Sequence, residues 1–147
     1  MHRWITLGLT AVLLMGCAAV STTATAKDAP EYLSPEPMKA LNLPFSDAVR
    51  IGDLLFLSGK LGTKPGTAEL APGGIQGETR QTMENIKRSV EAWGSRMDHV
   101  VKCTVFLADM AEWGAMNAVY KTYFPNPPAR SAVAVSGLAL DARVEIE

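Results

Sequence analysis

The chain has 147 residues, 48% of them apolar and 20% charged, with a formal net charge of −1. That length suits one domain; the balanced charge excludes the basic stripe of a dedicated nucleic-acid binder, and the apolar content excludes global disorder. Two histidines, His2 and His99, and two cysteines, Cys17 and Cys103, exclude a histidine-rich or four-thiolate metal site and a disulfide framework.

Residues 1–26 read as an export signal. Arg3 precedes an apolar stretch over residues 5–15, interrupted only by Thr6, Gly8 and Thr10, which is too short for a comfortable membrane span. Two processing sites stay open. Leu14-Met15-Gly16-Cys17 resembles the lipobox of bacterial lipoproteins, in which the cysteine becomes the lipidated first residue. Ala24-Thr25-Ala26 fits the small-residue A-x-A rule and would release a soluble protein beginning at Lys27. Either route predicts an exported, periplasmic domain that engages the membrane only through a lipid at Cys17. Either also leaves Cys103 without an intramolecular disulfide partner. Residues 27–40 continue a stretch rich in Ala, Thr, Ser and Pro and read as a linker, with the folded domain over residues 41–147.

Residues 48–51 and 54–58 are β-prone runs separated by Gly52-Asp53, the signature of a hairpin with a two-residue turn. Residues 59–77 hold six glycines and two prolines and predict a loop with at most a short edge strand. Over residues 78–93, Met83, Ile86, Val90 and Trp93 recur at spacings of three and four, one apolar helix face, and Gly94 supplies the stop. Residues 99–107 read as a strand; Val100, Val101, Val105, Phe106 and Leu107 are apolar on both faces, which predicts cover on both sides. Asp109-Met-Ala-Glu112 resembles a capping box ahead of a second helix striped by Trp113, Met116, Tyr120 and Tyr123, and ended by Pro125, Pro127 and Pro128. Residues 129–136 and 143–147 are strand-like. The order predicts an α+β domain, a mixed sheet with two helices on one face and its other face needing a partner.

Arg130 shares a strand face with Ala132 and Ala134, so its fork of donors meets little crowding and suits a carboxylate bidentately. Glu145 lies between Val144 and Ile146, where burial would raise a carboxyl pKa toward a general acid/base role. An ordinary strand-start arginine and a satisfied carboxylate fit the same pattern. Cys103, mid-strand, reads as a small buried filler. With His99 as the single domain histidine, no Ser-His-Asp or Cys-His arrangement is available, and no phosphate-cradling or dinucleotide motif is present.

The C-terminal run PARSAVAVSGLALDARVEIE resembles the signature of the RidA/YjgF family of reactive-intermediate deaminases. IGDLLFLSGKLG, ETRQTMENIKRSVEAWG, VVKCTVFLADM and MNAVYKTYF follow in the family's order, so the resemblance runs from about residue 43 to residue 147. It implies a chorismate-mutase-like fold assembled as a homotrimer around a barrel-like core, with clefts at the subunit interfaces. It also implies hydrolysis of enamines and imines of the 2-aminoacrylate type to 2-keto acids and ammonia, with no metal or organic cofactor. By that resemblance Arg130 clamps the substrate carboxylate and Glu145 holds or activates the attacking water. Ser58, Gly59 and Asn117 line the cleft, together with the positions of Phe45 and Ala132. The chain departs from the family pattern at three places: Phe45 stands where a tyrosine is frequent, Ala132 where a cysteine is, and Lys60 where a glutamine is, adding a positive charge near the cleft. The end at Glu147 falls inside a strand the family continues, and reads as a fragment of a longer chain. Two other functions compete: a non-catalytic binder of small carboxylates through Arg130 and, ranked last, the endoribonuclease activity ascribed to some relatives.

Overall fold

The computed structural model describes residues 29–147. The export signal, both processing sites and Cys17 lie outside the described residues. The chain then runs β1 (Glu31–Leu33), α1 (Glu36–Ala40), β2 (Ala48–Ile51), β3 (Leu54–Leu57), β4 (Lys60–Leu61), α2 (Gly74–Ala92), β5 (Lys102–Leu107), α3 (Trp113–Tyr120), β6 (Ala129–Ala134) and β7 (Val144–Ile146). Residues 31–40, expected as linker, are therefore structured. β1 pairs antiparallel with β2, placing Glu31 opposite Arg50, and the Arg50 guanidinium bonds both the Glu31 carboxylate and the Trp93 carbonyl at the end of α2.

The strands form two sheets, β1-β2-β3 and β4-β7-β5-β6. The first contains the expected hairpin, whose turn needs Gly52 at φ 56. In the second, β5 is parallel to β6 and antiparallel to β7, so the sheet is mixed. Glu147 extends the β5–β7 ladder by exchanging backbone bonds of 2.8 and 3.0 Å with Thr104. The chain passes from one sheet to the other at Ser58-Gly59.

Helices α2 and α3 both pack on one face of the second sheet. Met83, Ile86 and Val90 of α2 and Met116 and Tyr120 of α3 close over Cys103, Val105, Leu107, Val144 and Ile146. Helix α2 begins four residues earlier than its apolar period suggests. Gly77 is what permits this, because a Cβ there would overlap the Pro72 carbonyl. Strand β5 is shorter than expected: a 3-10 turn at Met97–His99 replaces its start, and Val101 is 74% exposed. Its side chains alternate, with Cys103, Val105 and Leu107 buried and Thr104 and Phe106 only half-buried, so a single face is covered. The expected cap exists, since the Ala111 amide donates to the Asp109 carboxylate at 2.8 Å, but Glu112 turns to Arg143 instead of closing a box. The entry to β7 is fixed from α2: buried Glu78 accepts the Arg143 amide at 2.8 Å.

Candidate active site

Two groups of the expected site residues come together, and they stand on opposite faces of one sheet. On the helix face, Arg130 is paired in register with Cys103, and its Nη1 donates to Asn117 Oδ1 of α3 at 2.7 Å. The guanidinium carbon lies 4.7 Å from the Tyr120 ring centroid and 5.8 Å from that of Trp113. Ala132, next on this face, packs against the core. Sequence periodicity assigns Trp113 and Tyr120 to an apolar stripe; the fold turns that stripe toward Arg130. Among the described residues Arg130 forms no ion pair; its guanidinium meets the neutral Asn117 amide and the two aromatic rings. Burial pushes the Cys103 thiol up, more than the neighbouring Tyr120 hydroxyl and the charges of Arg130 and Lys102 lower it, so it stays protonated. Burial likewise raises the Tyr120 phenol; its hydroxyl is near the thiol but outside hydrogen-bond geometry.

On the other face, Glu145 is paired with Phe106 and Leu61, half-buried between fully buried Val144 and Ile146. Its carboxylate lies directly over Gly59: a Cβ on Gly59 would overlap Oε1 and come within 2.8 Å of Cδ. Gly59 is thus the residue whose missing side chain makes room for the carboxylate. Ser58 beside it donates to the Ser46 carbonyl at 2.7 Å. Ser58 and Phe45 also line a groove of about 590 Å³ with Tyr32, Met38 and Leu43, and the Phe45 ring is 53% exposed.

Lys60 does not add a free charge to the cleft, as its sequence position suggests. Its Nζ meets Asp47 Oδ1 at 2.5 Å, while Asp47 Oδ2 accepts the Trp93 indole N–H at 2.7 Å. Burial alone would raise the Asp47 carboxyl. The bonds from Lys60 and Trp93, the Lys60 charge and Ser89 together outweigh it and hold the group below its ordinary 3.8. A depressed carboxyl contributes stability above the unfolded value and loses it as pH falls through the folded one. Asp47→Asn should therefore destabilise the fold by about 1–3 kcal/mol at pH 7. In urea unfolding, that gap from wild type should close as the pH drops below about 4. An unchanged gap at pH 3 would count against this account.

Among the described residues no three His, Cys, Asp or Glu side chains cluster as a metal site requires, and no helix is long and apolar enough to cross a membrane.

Residues 37–147 match the family described as Endoribonuclease L-PSP. The chain is 45% identical over 105 residues to a RutC family protein of Pyrococcus horikoshii, covering 71% of this chain and 83% of that one. It is 42% identical over 105 residues to the 2-iminobutanoate/2-iminopropanoate deaminase of Mus musculus, covering 71% and 78%. The crystal structure of the YjgF gene product from E. coli superposes with a TM-score of 0.71 at 32% identity, covering 79% of this chain and 94% of that one. With the matched span reaching from α1 to the end of β7, the chain belongs to the RidA/YjgF family.

Proposed function

We infer that this protein hydrolyses reactive 2-imino acids, and the enamines that tautomerise to them, to 2-keto acids and ammonia. The observation that carries the reading is Arg130, a half-buried guanidinium with one Nη fixed by Asn117 and no carboxylate partner among the described residues. Such a fork is completed by a substrate carboxylate. The relatives named 2-iminobutanoate/2-iminopropanoate deaminase at 42% and 43% identity support the same reaction.

The chemistry asks little of the protein. The imine carbon is electrophilic, so positioning and proton transfer supply the rate. Arg130 would orient the substrate through its carboxylate. Glu145 would accept a proton from water as the water oxygen bonds to the imine carbon, and would pass it to the imine nitrogen, completing a neutral carbinolamine. A second proton, taken from the carbinolamine hydroxyl and delivered to the amino group, lets the C–N bond break as the carbonyl forms and ammonia leaves, so one water is consumed for each ammonia released.

Arg130 and Glu145 project from opposite sheet faces, so one protomer cannot bring both to one small substrate. We propose a homotrimer in which the Arg130 side of one copy meets the Glu145 side of the next. Phe106, and Val133 at 44% exposure, share the Glu145 face and would be covered by such an assembly. The test uses an amino-acid oxidase to generate imines in the presence of semicarbazide. Wild type should suppress semicarbazone formation, whereas Arg130→Ala and Glu145→Gln should not. Co-refolding the two variants in equal amounts should restore about a quarter of wild-type turnover, the share of sites drawing one intact residue from each partner in a symmetric ring. No suppression by folded wild type would move the assignment to carboxylate binding without turnover. No recovery on mixing would overturn the shared site.

We further propose export to the periplasm, supported by the charged and apolar pattern of residues 1–26, with a lipid at Cys17 as the membrane anchor. Incorporation of labelled palmitate that is lost in Cys17→Ala would establish the anchor; its absence would leave cleavage after Ala26.

A further inference from the structure

Helix α3 presents Trp113, Asn117 and Tyr120 at spacings of four and three, a single stripe facing Arg130 on β6. Asn117 occupies one Nη, and the two rings stand 4.7 and 5.8 Å from the guanidinium carbon. An aromatic face attracts a guanidinium without consuming its in-plane N–H groups, whereas a carboxylate partner would use those same donors and cancel the charge. Resting on the reading of Arg130 as the carboxylate clamp, we propose that Trp113 and Tyr120 are positioning residues that hold the Arg130 fork in the orientation that receives the substrate. The neutral backing agrees with this role, because the protonated Cys103 thiol behind the fork does not compete as an anion. The two rings differ in one useful respect: Tyr120 is buried in the core, while Trp113 is 41% exposed and can be changed without opening the core.

The test compares Trp113→Leu, Trp113→Phe and Tyr120→Phe by imine turnover and by calorimetric binding of 2-ketobutanoate as the probe. Trp113→Leu should raise both KM and the probe Kd by roughly fivefold to tenfold, with kcat and melting temperature unchanged. Trp113→Phe should recover most of that loss, and Tyr120→Phe, which keeps the ring, should bind as wild type does. A Trp113→Leu protein with unchanged Kd, or one losing kcat at constant KM, would overturn the proposal, as would failure of Trp113→Phe to improve on Leu. If wild type binds the probe but turns over no imine, the deaminase reading fails while the Kd series still decides the role of the rings. Wild type that binds no probe would overturn the clamp and its positioning together.

Discussion

Arg130→Ala is expected to lower kcat/KM for 2-iminobutanoate by about 10²–10⁴-fold, on the basis that two hydrogen bonds to a charged group contribute roughly 1.5–3 kcal/mol each. The loss should appear mainly in KM and in probe affinity, because the interaction is made with the carboxylate before chemistry begins. The fold should survive. Arg130 makes no ion pair among the described residues, and Asn117 lies at the edge of a half-buried site rather than in the core. Arg130→Lys is the informative control: it keeps the charge but not the fork, and should recover only a minor part of the affinity. Equal kinetics for wild type and Arg130→Ala in the semicarbazide assay would remove the clamp from the mechanism.

The second large effect is expected at Glu145, where Glu145→Gln should reduce kcat by about 10²–10⁴-fold with 2-ketobutanoate binding retained. The geometry adds a sharper expectation. The three atoms nearest to a Cβ on Gly59 all belong to the flexible Glu145 side chain, Oε1, Cδ and Cγ, and that side chain can swing aside with little cost to the fold. Gly59→Ala should therefore remain folded while displacing the carboxylate, and lose turnover in the same manner as Glu145→Gln. The double variant should be no slower than Glu145→Gln alone, because both changes remove one proton-handling group. Additive losses would show that Gly59 acts independently of Glu145.

The helices and the hairpin were legible because their signals are local. Met83, Ile86 and Val90 declare a helix face without reference to anything else in the chain, and Gly52-Asp53 declares a turn. Elements made by distant partners were not. Glu31-Tyr32-Leu33 sits among prolines and reads as linker until β2 is placed beside it. The glycines that begin α2 read as loop because the overlap with Pro72 that Gly77 avoids is a tertiary fact. At the site, the residue types of Arg130 and Glu145 and their strand positions were readable. Period-two alternation orders side chains within a strand, but it does not say that β6 and β7 flank β5 with these two residues on opposite faces. Lys60 stood out as an added charge, yet its neutralisation by Asp47, thirteen positions earlier, depends on how the hairpin meets the second sheet.

A sheet with its arginine on one side and its carboxylate on the other also determines how rate depends on dilution. In the proposed trimer an isolated copy would hold two half-sites and no whole one, so initial velocity should fall more steeply than in proportion to protein concentration once subunits begin to separate. Assays performed at nanomolar enzyme would then report association as much as chemistry, and a neutral crowding agent or simple concentration would look like an activator.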